Sequence, residues 1–193
     1  MLKAMLIGVM FCGALLFARG AQGDDMSMDI SGTWRLNKQL SDDPRQVMQA
    51  KMTEMREKRG GGGGYGGGGR SGLDSDAVQK RLDQFDAART MIRIDQSDGI
   101  VTMAYADSSV INIPTDGQER DVETPRGSVK RYASWLDFSL VVHTKTRDDS
   151  AMTRIYRIND DGQLEIVTKV NPRQMPEPIE IVAVYDLLPS GSQ

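Results

Sequence analysis

From Thr90 to Tyr185 apolar and polar residues alternate with a period of two, interrupted only at short turn-forming pairs. Only an extended backbone points successive side chains to opposite faces, so this pattern commits the chain to strands. Leu164, Ile166, Thr168 and Val170 fall on one face, while Glu165, Val167 and Lys169 fall on the other. Eight strands are predicted in this region, at 90–96, 100–106, 109–113, 128–135, 139–146, 151–158, 164–170 and 179–185. Turn chemistry separates them at Asp98-Gly99, Asp116-Gly117, Arg126-Gly127 and Asp161-Gly162. Trp34 and Leu36 alternate in the same way and add a strand near the start, for about nine. Connections this short leave no room for crossover helices, so consecutive strands pair antiparallel as a meander. An open meander would expose two raw edges, and closure into a barrel removes them.

An insertion at 42–89 follows the first strand. Asp43 is placed to cap a helix with Pro44 in its first turn, and Met48, Met52 and Met55 share one face of the helix, which runs to about Arg59. Residues 60–69 are all glycine except Tyr65, a run with too much backbone entropy to pack and suited to a flexible tether. A second helix is predicted at 75–88, with Val78, Leu82 and Phe85 on one face.

The first 23 residues read as an export signal. Lys3 is followed by an apolar run of 14 residues, Ala4 to Phe17, and small residues stand at Ala21-Gln22-Gly23. That run is shorter than the roughly 20 residues needed to span a bilayer. The expectation is a periplasmic or secreted single domain of residues 24–193, with an uncleaved anchor as the alternative. The one cysteine, Cys12, would leave with the leader, so disulfides, thiolate nucleophiles and thiolate metal sites are excluded from the mature domain. One histidine, His143, cannot supply paired imidazoles, so neither a metal nor a cofactor is expected. Without Lys3 and Arg19 the chain has 22 basic against 27 acidic residues; residues 44–72 are +4 and the remainder −9. A basic arm on an acidic body suggests contact between 44–72 and a membrane or partner protein. The alternative is that its methionines pack on the barrel and its charges are solvated.

The segment Gly32-Thr33-Trp34-Arg35-Leu36 resembles the first-strand signature of the calycins, the group that includes lipocalins and fatty-acid-binding proteins. The resemblance implies a barrel with Trp34 plugging one end. The order of one strand, two short lid helices and a run of antiparallel strands is similar to the fatty-acid-binding branch. In that branch an Arg-x-Tyr pair on the last strand grips the ligand carboxylate. Here Ala183-Val184-Tyr185 keeps the tyrosine and lacks the arginine. The fold expected is therefore mainly β, an antiparallel meander closing into a lipocalin-like barrel, with a two-helix, glycine-linked insertion after the first strand.

Six residues are candidates for contact with a ligand: Trp34, Arg131, Trp135, Arg154, Tyr156 and Tyr185. Trp34 is equally explained as a buried aromatic of the first strand. If Tyr156 and Ile158 face inward, so does Arg154, and Arg131 shares a face with Val129, Ala133 and Trp135. A buried arginine needs a partner or an anionic ligand, whereas outward-facing arginines merely solubilise the surface. Both inside together would point to an anion. His143 lies opposite Leu140 and Val142 and reads as a surface residue, and no spacing ties it to a catalytic partner, so no catalytic residue is assigned. Gly64 to Ser71 nearly matches a phosphate-binding loop, but it has Arg70 in place of lysine and no preceding strand. Arg59 and Arg70 bracket a single glycine tract, too little to imply nucleic acid. The expected function is non-enzymatic binding of a small apolar or amphipathic molecule. The alternative is a structural or interaction module of the cell envelope with a filled core.

Overall fold

The computed structural model describes residues 27–58, 89–124, 127–145, 150–171 and 177–189. The leader, the glycine tract, the second predicted helix and Arg126 lie outside the described residues. The elements, in chain order, are β1 (Gly32–Leu36), α1 (Pro44–Lys58), β2 (Met91–Ser97), β3 (Ile100–Tyr105), β4 (Val110–Pro114), β5 (Arg120–Thr124), β6 (Gly127–Leu136), β7 (Ser139–Lys145), β8 (Ala151–Ile158), β9 (Leu164–Asn171) and β10 (Ile179–Leu187).

All strand pairs are antiparallel and form one sheet in the order β4-β3-β2-β1-β10-β9-β8-β7-β6-β5. Neighbours in sequence are neighbours in the sheet except for β4 and β5. β1 pairs with β10, in the register Trp34 to Leu187 and Leu36 to Tyr185, and closes the meander on itself. The two outer strands, β4 and β5, are consecutive in the chain yet share no ladder, so the curled wall has a seam between them. A single backbone bond, Gly117 N to Ala133 O at 2.8 Å, reaches across it to β6. Strand β5 is the one that the periodicity missed. Its sequence, Arg-Asp-Val-Glu-Thr, has one apolar residue, as suits an edge strand paired only with β6.

Two turn predictions hold in detail. Asp98 and Gly99 have φ of 50° and 74°, the left-handed pair that a two-residue hairpin requires. Asn159 Oδ1 accepts bonds from Asp161 N and Gln163 N around the Asp161-Gly162 turn. The β6–β7 turn instead puts Asp137 and Phe138 at φ of 46° and 61°, residues that carry no glycine signal.

Gly32 has φ +146° beneath Trp34, and a Cβ there would lie 2.7 Å from Leu187 Cδ1 and 3.4 Å from Trp34 Nε1. This accounts for the Gly-x-Trp spacing: only glycine lets the indole fold back over the strand. Trp34 is 3% exposed, and its Nε1 donates to Ile30 O at 3.0 Å.

Helix α1 starts where expected. Asp43 Oδ1 accepts from Arg45 N at 2.9 Å, and Val47 N donates to Asp43 O at 3.1 Å. The preceding loop is stitched to β10. Ser41 Oγ accepts from Val184 N at 2.9 Å, and Asp42 exchanges bonds with Val182 through its N (2.9 Å) and Oδ2 (2.7 Å). Lys51 bridges to Glu177 at 3.2 Å. Among the described side chains of α1 the half-buried ones are Pro44, Arg45, Val47, Lys51 and Glu54, while Met48 is 37% exposed. Met48 thus does not pack fully on the barrel as expected, the side chains of Met52 and Met55 lie outside those described, and Lys51 pairs with Glu54 and Glu177.

Candidate functional site

Directly opposed residues of paired strands face the same side of a sheet, so the register reads out the lining of the lumen. One row runs Ala183, Ile166, Tyr156, Leu140, Trp135. The next runs Ile181, Thr168, Arg154, Val142, Ala133. Ala133 and Val142 are core residues, 0% and 5% exposed, so Arg154 faces inward with them. The following row, Ile179, Val170, Met152, Thr144, Arg131, begins at a fully buried isoleucine and puts Arg131 inside as well. The plain alternative, in which both arginines are outward surface charges, is overturned by this register.

Arg154 lines a cavity of about 210 Å³. Its polar wall is Arg89, Tyr105, Ser109, Arg154, Tyr156, Thr168 and Tyr185, and its apolar wall is Ile92, Ile111, Ile166, Ile181 and Ala183. Among the described residues no carboxylate borders it. Arg154 retains intermediate exposure because its surface opens into this cavity, although the group lies deep within the sheet. Burial opposes its charge, but Tyr156, Tyr105 and Tyr185 outweigh it, with a hydrogen bond from the guanidinium to Tyr156, and its pKa rises. Burial pushes the Tyr105 hydroxyl far above its ordinary value, and that hydroxyl also bonds Tyr156. Burial likewise raises Tyr185, opposed by the charge of Arg89 and by the hydrogen bond that Arg89 donates. For Arg131, burial and then the like charge of Arg154 both lower the pKa. Neither Arg131 nor Arg154 forms an ion pair with a carboxylate among the described residues. By contrast Arg120, opposite Arg131 on β5, is held by both oxygens of Asp116 at 2.8 and 2.6 Å.

Of the six candidates, Arg154, Tyr156 and Tyr185 meet in this cavity. Arg131 faces the lumen without lining the cavity, and Trp34 is buried in the core outside it. Trp135 is half-buried and borders a separate pocket with Ile100, Val101 and Thr115. Four polar residues of the wall, Arg89, Tyr105, Ser109 and Thr168, were not among the candidates. Tyr105 continues the inward alternation of Val101 and Met103 and was legible in principle. Arg89 sits in the turn before β2, where no periodicity marks it. His143 is on the outer face as expected, stacked on Tyr132 with centroids 4.5 Å apart, its Nδ1 3.1 Å from Thr153 Oγ1. Among the described residues no group of three or more histidine, cysteine or acidic side chains is placed to hold a metal.

No family model and no curated protein matches the sequence. Solved structures do match the fold. A structure described as the REP1-NXSQ fatty acid transporter aligns with 83% of this chain and 96% of its own, with TM-score 0.51 and 18% identity. Zebrafish ileal bile acid-binding protein complexed with cholic acid aligns with 82% of this chain and 98% of its own, with TM-score 0.48 and 14% identity. At such identities the likeness is one of fold alone: the curled antiparallel wall is shared with the fatty acid transporter structure.

Proposed function

We propose that the protein is a non-enzymatic carrier of a compact amphipathic acid, bound in the lumen with its anionic head on Arg154. The observation that carries this reading is a permanently charged guanidinium facing an internal cavity with no carboxylate on its walls among the described residues. Burying an unpaired cation is costly, and a bound anion would offset that cost. Hydroxyls of Tyr105, Tyr156 and Tyr185 offer further donors to the head group, and the isoleucines offer it an apolar body. A space of 210 Å³ suits a ligand of on the order of ten heavy atoms, given that a water occupies ~30 Å³ of liquid. The calycin fold supports the reading, since its matched neighbour is described as a fatty acid transporter.

The reading extends to place and contact. The leader-like residues 1–23 support action outside the cytoplasm, in the periplasm or as a secreted protein. The exposed Met48 and the positive charge of 44–72 support contact of that arm with a membrane or partner protein.

Two measurements test the carrier reading. Organic extracts of the purified protein, analysed by mass spectrometry, should contain a small acid near one per chain. Titration with 2-naphthoate should give saturable binding, and the neutral isostere 2-naphthylmethanol should bind at least about 30-fold more weakly, the loss of a ~2 kcal/mol charged contact. Equal binding of the acid and the alcohol would remove the role given to Arg154.

A further inference from the structure

Arg89 borders two cavities. One is the lumenal cavity; the other, about 280 Å³, lies outside the end of β1, among Leu36, Lys38, Ser41, Pro44, Arg45 and Arg89, with Asp42 and Asp43 also on its wall. Arg89 lines both, Tyr185 lines the lumenal cavity and Leu36 the outer one. Leu36 and Tyr185 are direct cross-strand partners on β1 and β10, and Arg89 donates a hydrogen bond to the tyrosine hydroxyl. The outer cavity is walled by three cationic side chains against two carboxylates. Both carboxylates already accept backbone N–H bonds, Asp42 from Val182 and Asp43 from Arg45.

We propose that this outer cavity is a vestibule that captures the acidic head of the ligand and passes it by Arg89 to Arg154, so that the route into the lumen runs between the β1–α1 loop and the turn before β2. The inference rests on the carrier reading of the lumen and adds the path and the steering charges. The frame of the vestibule is rigid where it needs to be: Ser41 and Asp42 are fastened to β10, and Leu36 N donates to Thr90 O at 3.0 Å. In this proposal the neck is Arg89, the side chain common to both cavities, and it is the one that moves aside. The charges outside the neck act on an anion before it makes contact, which raises the association rate and leaves dissociation nearly untouched.

The experiment is stopped-flow binding of 2-naphthoate to the full chain and to two charge-reversed variants. Lys38→Glu alters an exposed residue that touches only the vestibule. Lys169→Glu makes the same charge change on the outer wall, where Lys169 pairs with Glu180 at 3.0 Å. Lys38→Glu is expected to slow association about five- to tenfold at low salt, with dissociation within about twofold of wild type. The deficit should close near 1 M salt, where the screening length falls to about 3 Å, and Lys38→Arg should restore the wild-type rate. Lys169→Glu should stay within about twofold of wild type at every salt concentration. Equal slowing by both reversals, or no slowing by Lys38→Glu, would overturn the vestibule while leaving the lumenal site intact. Failure of the wild-type chain to bind the acid at all would instead strike the carrier reading beneath it.

Discussion

Replacing Arg154 by methionine should make the empty protein more stable and less responsive to ligand. Arg154 is a cation deep in the sheet whose partners are phenolic hydroxyls, with no carboxylate among the described residues to offset its desolvation. A hydrogen bond to a charged group contributes about 1.5–3 kcal/mol, whereas removing an ion from water carries a penalty of several kcal/mol. Methionine has nearly the same length, lies comfortably against Ile166 and Ile181, and leaves Tyr156 its bond to Tyr105. The balance favours the variant by about 1–3 kcal/mol, the range found when buried charges give way to apolar side chains. At roughly 2–4 °C per kcal/mol for a domain of this size, the Tm of the ligand-free form should rise by about 2–12 °C. Saturating 2-naphthoate favours the wild type in turn. A ligand at 100 times its Kd stabilises the wild type by about 2.7 kcal/mol, and the variant, binding about 30-fold more weakly without the cation, should gain only about 0.9 kcal/mol. Thermal unfolding with and without the acid should therefore show a smaller shift for the variant than for the wild type. A variant at least about 2 kcal/mol less stable than wild type when empty, or one stabilised equally by the acid, would refute the idea of an unneutralised lumenal charge.

Three further outcomes follow from the geometry. Gly32→Ala should lose about 1–3 kcal/mol in urea unfolding, chiefly from backbone strain at φ +146°, because the Leu187 side chain is exposed and can move aside. Asp43→Ala should destabilise the first turn of α1 by about 1 kcal/mol, seen as faster amide exchange there with the barrel amides unchanged. Asp116 titrates well below the usual carboxylate range because Arg120 and then Gln118 N hold its charged form. Its stabilising contribution is therefore complete above its unfolded pKa of about 3.9 and is lost as pH falls toward the depressed folded value. Asp116→Asn should flatten the stability profile below about pH 4 and leave it unchanged near neutrality.

Much of this architecture was legible because a sheet with one buried face writes its period into the residues. From Ile92 and Ile94 to Ala183 and Tyr185, inward positions carry the core and outward ones carry charge. Where that contrast fades, so does the reading. In β5, Asp121 and Glu123 face outward, but only Val122 marks the inner side, with Arg120 beside it anchored to Asp116. The β6–β7 turn was hidden because Phe138 occupies a left-handed position normally announced by glycine or asparagine. The orientation of Arg154 was decidable only by pairing, since a lone arginine between Thr153 and Ile155 is compatible with either face until Val142 and Thr168 are known to flank it. Arg89 was beyond reach: its role comes from the place where β1, β10 and the turn before β2 converge, a relation between distant segments with no local signal.

The pairing of β1 with β10 joins residues near position 34 to residues near 187. Contacts of such separation form late, after the local hairpins on either side of the seam have assembled. During synthesis, two half-shells would wait, one built on β2 to β4 and the other on β5 to β9, until the tenth strand emerges and zips them together. That strand also brings Ile181, Ala183 and Tyr185 to the inner chamber. Nascent protein thus gains its hollow interior in a single final event, and a ribosome-bound chain lacking the last strand would lack that chamber.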